Sequence, residues 1–284
     1  MINPLKISIS MHLIAHGGVG NPRDNDGKVR QAIERGYEDG MSAFEAVIAV
    51  VEELENDPSF NAGKGSKIRL DGSVQMDAAV QSEENVGAVV AIEEILNPIR
   101  VAEIVHDSPY LILAGDSATD LGKKRGLESG DLKTEDRKSE LEEMREKIEN
   151  KESLEDYKKF YDKIQGGTVG CAAFEEGKFA AAVSTGGSSY CVRGRVGDSP
   201  LIGSGFFVGD NGAVVATGKG EEITKRLASK RCHDLISDLG LEEACNEVVE
   251  EFPEKHTIGL IAVDDKEAHS SANREMAQYT IEKR

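Results

Sequence analysis

The stretch Gly166-Gly167-Thr168-Val169-Gly170-Cys171-Ala172-Ala173-Phe174, continued by Ala180-Ala181-Ala182-Val183-Ser184-Thr185-Gly186-Gly187, constrains this chain more than any other. A charge-dense segment ends there and a strand of small apolar residues begins, with Thr168 at the seam. Two readings fit the seam taken alone. Gly-Gly before an apolar run is an ordinary way to open a strand. The other reading is a cut. Cleavage between Gly167 and Thr168 would give Thr168 a free α-amine of pKa about 7.7 to 8.0, a general base beside its own hydroxyl. A threonine served by its own N-terminal amine is an activated nucleophile.

Composition narrows the setting. At 284 residues the chain can bury a sizeable core. A net charge of −18 opposes nucleic acid and anionic membrane as partners, since phosphates would be repelled. Cys171, Cys191, Cys232 and Cys245 form no C-x-x-C pair and the histidines no H-E-x-x-H, so reduced thiols in a cytoplasm are expected and a zinc site is not. Lys6 followed by Ile7 to Ala15 imitates a secretion signal, but the run is short and alternates with polar residues, so it reads as a strand.

In chain order, a strand at Met11 to Ala15 empties into the turn His16-Gly17-Gly18-Val19-Gly20, and helices follow at 26–39 and after Ser42, with Glu45 as capping-box partner. Lys67 to Leu70 and Ser73 to Val80 read as a hairpin about Asp71-Gly72. Val86 to Ile92 is a buried strand, and helices at 98–106 and 117–125 flank a strand at 110–114. From Glu128 to Gln165 more than half the residues are charged, which predicts a mobile linker over 128–166 with partial helix through Leu141, Met144 and Ile148. After Thr168 come strands at 168–174, 178–184, 204–208 and 213–216, one helix to Leu239, another at 241–250, and a last long strand at 257–264. Runs of strands with helices in pairs predict sheet packed on sheet with helices outside.

Seven strings occur in one order: Phe60-Asn61-Ala62-Gly63, Met76-Asp77-Ala78-Ala79, Gly167-Thr168-Val169-Gly170, Ser184-Thr185-Gly186-Gly187, Gly194-Arg195-Val196-Gly197-Asp198-Ser199-Pro200, Thr217-Gly218-x-Gly220-Glu221 and Gly259-Leu260-Ile261-Ala262. That order resembles the N-terminal-nucleophile hydrolases of the plant-type asparaginase and isoaspartyl peptidase family, relatives of the glycosylasparaginases. The resemblance covers nearly the whole chain. It implies a single α+β domain, a four-layer αββα sandwich, that cuts itself into an α subunit of residues 1–167 and a β subunit of 168–284. It also implies a small-molecule substrate, L-asparagine or a β-aspartyl dipeptide, and a homodimer of αβ units.

By the same resemblance Thr168 is the nucleophile, Thr185 tunes its hydroxyl, and Thr217 with Gly218 forms an oxyanion hole. Asn61 and Gly220 are expected beside the substrate. Arg195 would grip the substrate carboxylate with a two-pronged pair and Asp198 would hold its ammonium; the ordinary alternative is a surface salt bridge. A phosphate loop at Thr217 to Glu221 fails on spacing, because Ala213 stands where a Walker pattern needs glycine. No cofactor is implied for catalysis. A structural sodium is implied on the main chain of Leu54, Glu55, Asp57, Phe60, Ala62 and Lys64. Lys219, the loop Ser188-Ser189-Tyr190-Cys191, and Gly166 depart from the family pattern and bear on substrate choice and cleavage rate. The family's first strand usually opens the protein, which makes Met11 a candidate start. A glycosylasparaginase-like amidase and a non-catalytic binding module for acidic amino acids are the competing readings.

Overall fold

Burial along the strands dictates the layers. The computed structural model describes residues 11–149, 167–189 and 191–283, so residues 1–10 ahead of the candidate start at Met11, the 150–166 part of the linker with Gly166, and Tyr190 lie outside the described residues. In β5 (Val169–Glu175) every residue is buried, yet the faces serve different cores: Val169, Cys171 and Ala173 point to one, Ala172 and Phe174 to the other. A strand buried on both faces must lie between two layers, which is why it reads as a continuous small-apolar run.

Around β5 runs a seven-stranded sheet. Its strands are β1 (Met11–Val19), β2 (Met76–Ser82), β3 (Val86–Ile92), β4 (Ile112–Ala114), β5, β6 (Lys178–Thr185) and β11 (Met276–Lys283), in the order β11-β1-β5-β6-β2-β3-β4. Only β3 and β4 pair in parallel. Against one face packs a four-stranded sheet, β10-β9-β8-β7, made of β7 (Phe206–Gly209), β8 (Gly212–Gly218), β9 (Ile258–Val263) and β10 (Ala268–Ala272). The inner seam joins Ile14, Ala172, Ala181 and Val183 of the large sheet to Phe206, Val215 and Ile261 of the small one.

Helices close both outer faces. α1 (Asp26–Gly36), α2 (Ala43–Asn56) and α3 (Pro98–His106) place Ile33, Val47, Val51 and Val101 in the first core. Ser42 and Glu45 form the predicted capping box at the start of α2. A further helix, α4 (Gly115–Lys124), packs Ala118 into the same core. On the far side, α7 (Ala228–Leu239) and α8 (Leu241–Glu250) cover Val214, Leu260 and Ala262 with Cys232, Ala244 and Val248. The expected four-layer αββα sandwich is the observed one.

Four local expectations change. The Asp71-Gly72 turn forms, with Gly72 N–H donating to Arg69 O at 2.9 Å, but no hairpin follows. Arg69 is instead fully buried, donating from Nη2 to Gln75 O at 3.0 Å, and the strand waits until Met76. The single helix to Leu239 is broken at Leu227, which takes the left-handed conformation (φ 49°, ψ 53°) between α6 (Gly220–Arg226) and α7. The strand at 258–263 is not the last. Two more follow, and β11 pairs with β1 from Met11↔Lys283 onward.

The fourth change concerns the linker, whose described part, 128–149, is packed chain rather than a loose tether. Gly130 N–H donates to Glu94 O at 2.8 Å, Leu132 is buried, and α5 (Glu135–Glu149) lays Leu141 into the first core. Thr134 Oγ1 accepts Arg137 N–H at 3.3 Å at its start, and Arg145 Nη2 donates to Leu70 O at 2.9 Å. A few apolar and polar anchors suffice to hold a helix whose remaining surface is charged.

No helix among the described residues is long and apolar enough to cross a membrane. The small residues at the inner seam set the spacing of the two sheets. Replacing fully buried Ala181 by leucine should therefore destabilise the protein by about 1–3 kcal/mol, read as a lower denaturation midpoint in urea.

Candidate active site

The ends of the two central strands meet at Gly167 and Thr168. β5 begins at Val169 beside the end of β6, with Val169 opposite Ser184, so Thr168 and Thr185 become neighbours across the ladder. Thr168 Oγ1 donates to Thr185 Oγ1 at 3.3 Å, and Ser199 Oγ lies 3.4 Å from the same hydroxyl. Thr185 Oγ1 in turn donates to the Gly167 carbonyl at 3.0 Å and accepts the Gly187 N–H at 3.0 Å. The Thr168 proton is thus directed to Thr185, which leaves Ser199 as the donor to the Thr168 oxygen.

A second donor reaches the same carbonyl. Asn61 Nδ2 donates to Gly167 O at 2.6 Å and to Gly187 O at 2.6 Å, while its Oδ1 accepts Lys67 N–H at 2.9 Å. All three atoms of its amide head that can bond are engaged locally, which locks its orientation. Gly167 O therefore faces two aimed donors, an arrangement that stabilises negative charge developing on that oxygen.

Glycine makes the approach of β1 feasible. Gly18 has φ +99°, and a Cβ there would lie 3.0 Å from both N and O of Thr168. His16, read from sequence as part of a turn, is instead inside β1 and fully buried. Burial pushes its imidazole down to about 3, against a raising hydrogen bond to the Thr168 backbone, so it is neutral and its Nδ1 accepts Gly18 N–H at 3.1 Å.

Arg195 and Asp198 come together with Thr168 around one small cavity, lined also by Thr185, Ser199 and Gly218. With the chain continuous through Gly167 and Thr168 it holds only about 10 Å³, room for one water. Gly220 is required beneath it: a Cβ there would sit 2.7 Å from Asp198 Oδ1 and 3.0 Å from Arg195 Nη2. Arg195 is not at the surface. Its Nε and Nη2 donate to Glu221 Oε1 at 3.1 and 2.9 Å. Burial pushes the Asp198 carboxyl up to about 7, an effect that the Arg195 charge opposes.

The sites expected from sequence do not all converge. Gly218 (φ +145°) lines the cavity, whereas the Thr217 hydroxyl accepts the Val19 N–H at 3.4 Å and ties β8 to β1. Lys219 donates its N–H to Thr257 O at 2.9 Å and its residue is buried. Ser188 lines the cavity, and Cys191 Sγ contacts the Arg69 guanidinium. Four side chains were missed: Ser199, Glu221, Asp77 and Arg69. Ser199 and Glu221 lay inside quoted strings, and so did Asp77, which is buried and accepts Ala91 N–H at 2.8 Å. Its carboxyl is raised by burial and lowered by Arg69 and Arg195. Arg69 carried no sequence signal, since a lone arginine beside a turn reads as surface. Among the described residues no group of three His, Cys, Asp or Glu is placed to hold a metal.

Comparison with known proteins meets this geometry from another side. A family model described as asparaginase matches residues 9–283. The plant-type L-asparaginase of Thermococcus kodakarensis is 34% identical over 276 residues, covering 89% of this chain and 90% of that protein. That of Pyrobaculum calidifontis is 37% identical over 273 residues, with 89% and 90% covered. The isoaspartyl peptidase/L-asparaginase of Bos taurus is 38% identical over 252 residues, with 82% and 80% covered. A match running from the first described strand to the last, together with a threonine seated where two central strands end, places the chain in the asparaginase family.

Proposed function

We propose that the protein is a self-processing amidohydrolase acting on the side-chain amide of L-asparagine and on β-aspartyl dipeptides, and releasing L-aspartate. The observation that carries this reading is the Gly167 carbonyl, held by Asn61 and Thr185 beside the Thr168 hydroxyl. Attack of Thr168 Oγ on the Gly167 carbonyl carbon expels the Thr168 nitrogen and leaves an ester. Water then cleaves the ester to a Gly167 carboxylate and a Thr168 that carries a free amine. In the cut enzyme that amine takes the hydroxyl proton and passes it to the leaving nitrogen of the substrate.

Substrate recognition follows from charge. An aspartyl group presents an α-carboxylate and an α-ammonium, and Arg195 and Asp198 offer one partner for each. The 10 Å³ cavity is too small for any amino acid, so the Gly167 end must move away before substrate enters. Glu221 holds the Arg195 guanidinium in place for this role. Gly218 supplies a main-chain N–H for the developing oxyanion, and Thr217 acts by fixing that backbone against β1.

The implied sodium would sit in the loop after α2. The loop after α2 coils so tightly that a Cβ on Gly63 would lie 2.4 Å from the Glu55 carbonyl oxygen, and one on Gly65 1.8 Å from that of Phe60. Crowded neutral oxygens are the donors a hard cation takes. Leu54, Glu55, Asp57, Phe60, Ala62 and Lys64 would hold it through main-chain oxygens, stiffening the loop that carries Asn61. Buried, unpaired cysteines agree with a cytoplasmic setting. The exposed Tyr110, Leu111 and Ile112 at the β4 edge suit pairing of two αβ units.

Denaturing electrophoresis with mass spectrometry should find two fragments, the smaller starting at Thr168, and T168A should stay one inactive chain. A wild-type enzyme active as an unbroken polypeptide would sink the mechanism. N61A removes one of two donors to the Gly167 carbonyl and should slow self-cleavage by about a hundredfold or more. For the matured enzyme, kcat/KM for asparagine should fall below neutrality with a slope above one. As pH drops, Asp198 takes a proton near 7 and loses its hold on the ammonium, while the α-amine takes one near its ordinary value of about 7.7 to 8.0 and ceases to be a base. D198N should lower kcat/KM by about a hundredfold and reduce that slope to one.

A further inference from the structure

Gly167 borders a second, open cleft of about 330 Å³ whose lining includes neither Arg195 nor Asp198. Among the described residues it is lined by neutral groups, chiefly from the β1 turn together with Ser59 and Asn61, and by two cations, Lys67 and Arg137. In a chain of net charge −18, a cleft lined by two cations and no acid is not the average surface. Lys67 is tied to the reaction centre through one side chain: its N–H meets Asn61 Oδ1 at 2.9 Å, and Asn61 Nδ2 meets Gly167 O at 2.6 Å. Arg137 arrives from α5, with Nε donating to Gly65 O at 3.0 Å.

A carboxylate already bridges the two cations. Glu140 Oε1 lies 2.7 Å from Arg137 Nη1, and its Oε2 lies 2.7 Å from Lys67 Nζ. Among the described residues, one carboxylate against two cations leaves a positive charge in surplus. The Lys67 side chain is largely withdrawn from solvent, and the cleft that it lines is open to bulk ions.

Resting on the amidohydrolase reading above, we infer that Lys67 and Arg137 form a leaving-group subsite for the free carboxylate of a β-aspartyl dipeptide. The acyl half of the substrate is held by Arg195 and Asp198, so its amide nitrogen points out of that cavity, and the open cleft adjoins it at Gly167. Asparagine releases ammonia, which has nothing for these cations to hold. A β-aspartyl dipeptide releases an amino acid whose carboxylate they attract. The positive surplus makes this chain prefer the dipeptide with a free C-terminus over the same dipeptide with its C-terminus amidated. The linker helix thus supplies a specificity residue to the mature enzyme.

The test uses the matured full-length protein with L-asparagine, β-aspartyl-alanine and β-aspartyl-alanine amide. The wild type should show kcat/KM about tenfold higher for the free acid than for the amide, most of it in KM, and the ratio should shrink towards one at about 1 M salt. K67M and R137M should each bring the ratio to within about twofold of one, K67R should restore it, and E140Q should raise it. A wild-type ratio near one, a ratio indifferent to salt and to all four substitutions, or activity on asparagine with none on either dipeptide overturns the subsite. The salt series needs no variant, so misfolding of one cannot mask the result. Inactivity of the cleaved protein on all three compounds overturns the amidohydrolase reading itself, and the subsite with it.

Discussion

Two hydrogen bonds to one carbonyl, from Asn61 Nδ2 and Thr185 Oγ1 to Gly167 O, are what the surrounding architecture is arranged to supply. Neither donor is near Gly167 in the chain. Asn61 comes from the loop after α2 and Thr185 from the end of β6, so both depend on the seven-stranded sheet and its helical cover being in register. Register in a two-sided buried sheet is strongly specified, since a one-residue slip would exchange the residues of the two cores. The precision of the junction is therefore a property of the whole sandwich.

The same dependence explains what could be read in the sequence and what could not. Strands β3, β5 and β6 were legible because burial on both faces leaves an unbroken small-apolar run. The start of α2 was legible because a capping box is local. β10 and β11 were not: Ala268-His269-Ser270-Ser271-Ala272 is small, polar and half-buried, and β11 takes its register from β1, more than 250 residues away in sequence. The break at Leu227 carries no glycine or proline to announce it. It follows from packing, with Lys230 N–H drawn to Gly203 O and Ser229 Oγ to Ser204 O.

In the site the division is similar. Thr168, Thr185, Arg195 and Asp198 sit in ordered strings and are legible in the sequence. The partners that decide how they behave were less so. Glu221 is 26 residues from Arg195 and meets it only because α6 starts under the Gly194 to Pro200 loop. The helix expected through Leu141 is present as α5, while the anchoring of the described part of the linker is not legible, because composition registers average charge. Leu132, Leu141 and the pairing of Lys67 with Glu140 are single contacts that an average cannot see.

Buried charge gives the cavity its logic. Asp77, Asp198 and Arg69 are buried and Arg195 is half-buried beside them, where each ionised group is costly unless opposed. Burial raises both carboxyls, and the arginines only partly counter it. Such a site is poorly satisfied while the Gly167 end fills it. Under the proposed function an incoming α-ammonium would give Asp198 a second opposite charge beside that of Arg195, whose own guanidinium is already met by Glu221. The closed cavity and the raised Asp198 carboxyl are then two aspects of one state: a small buried volume in which Asp198 and Arg195 are already in place beside Thr168.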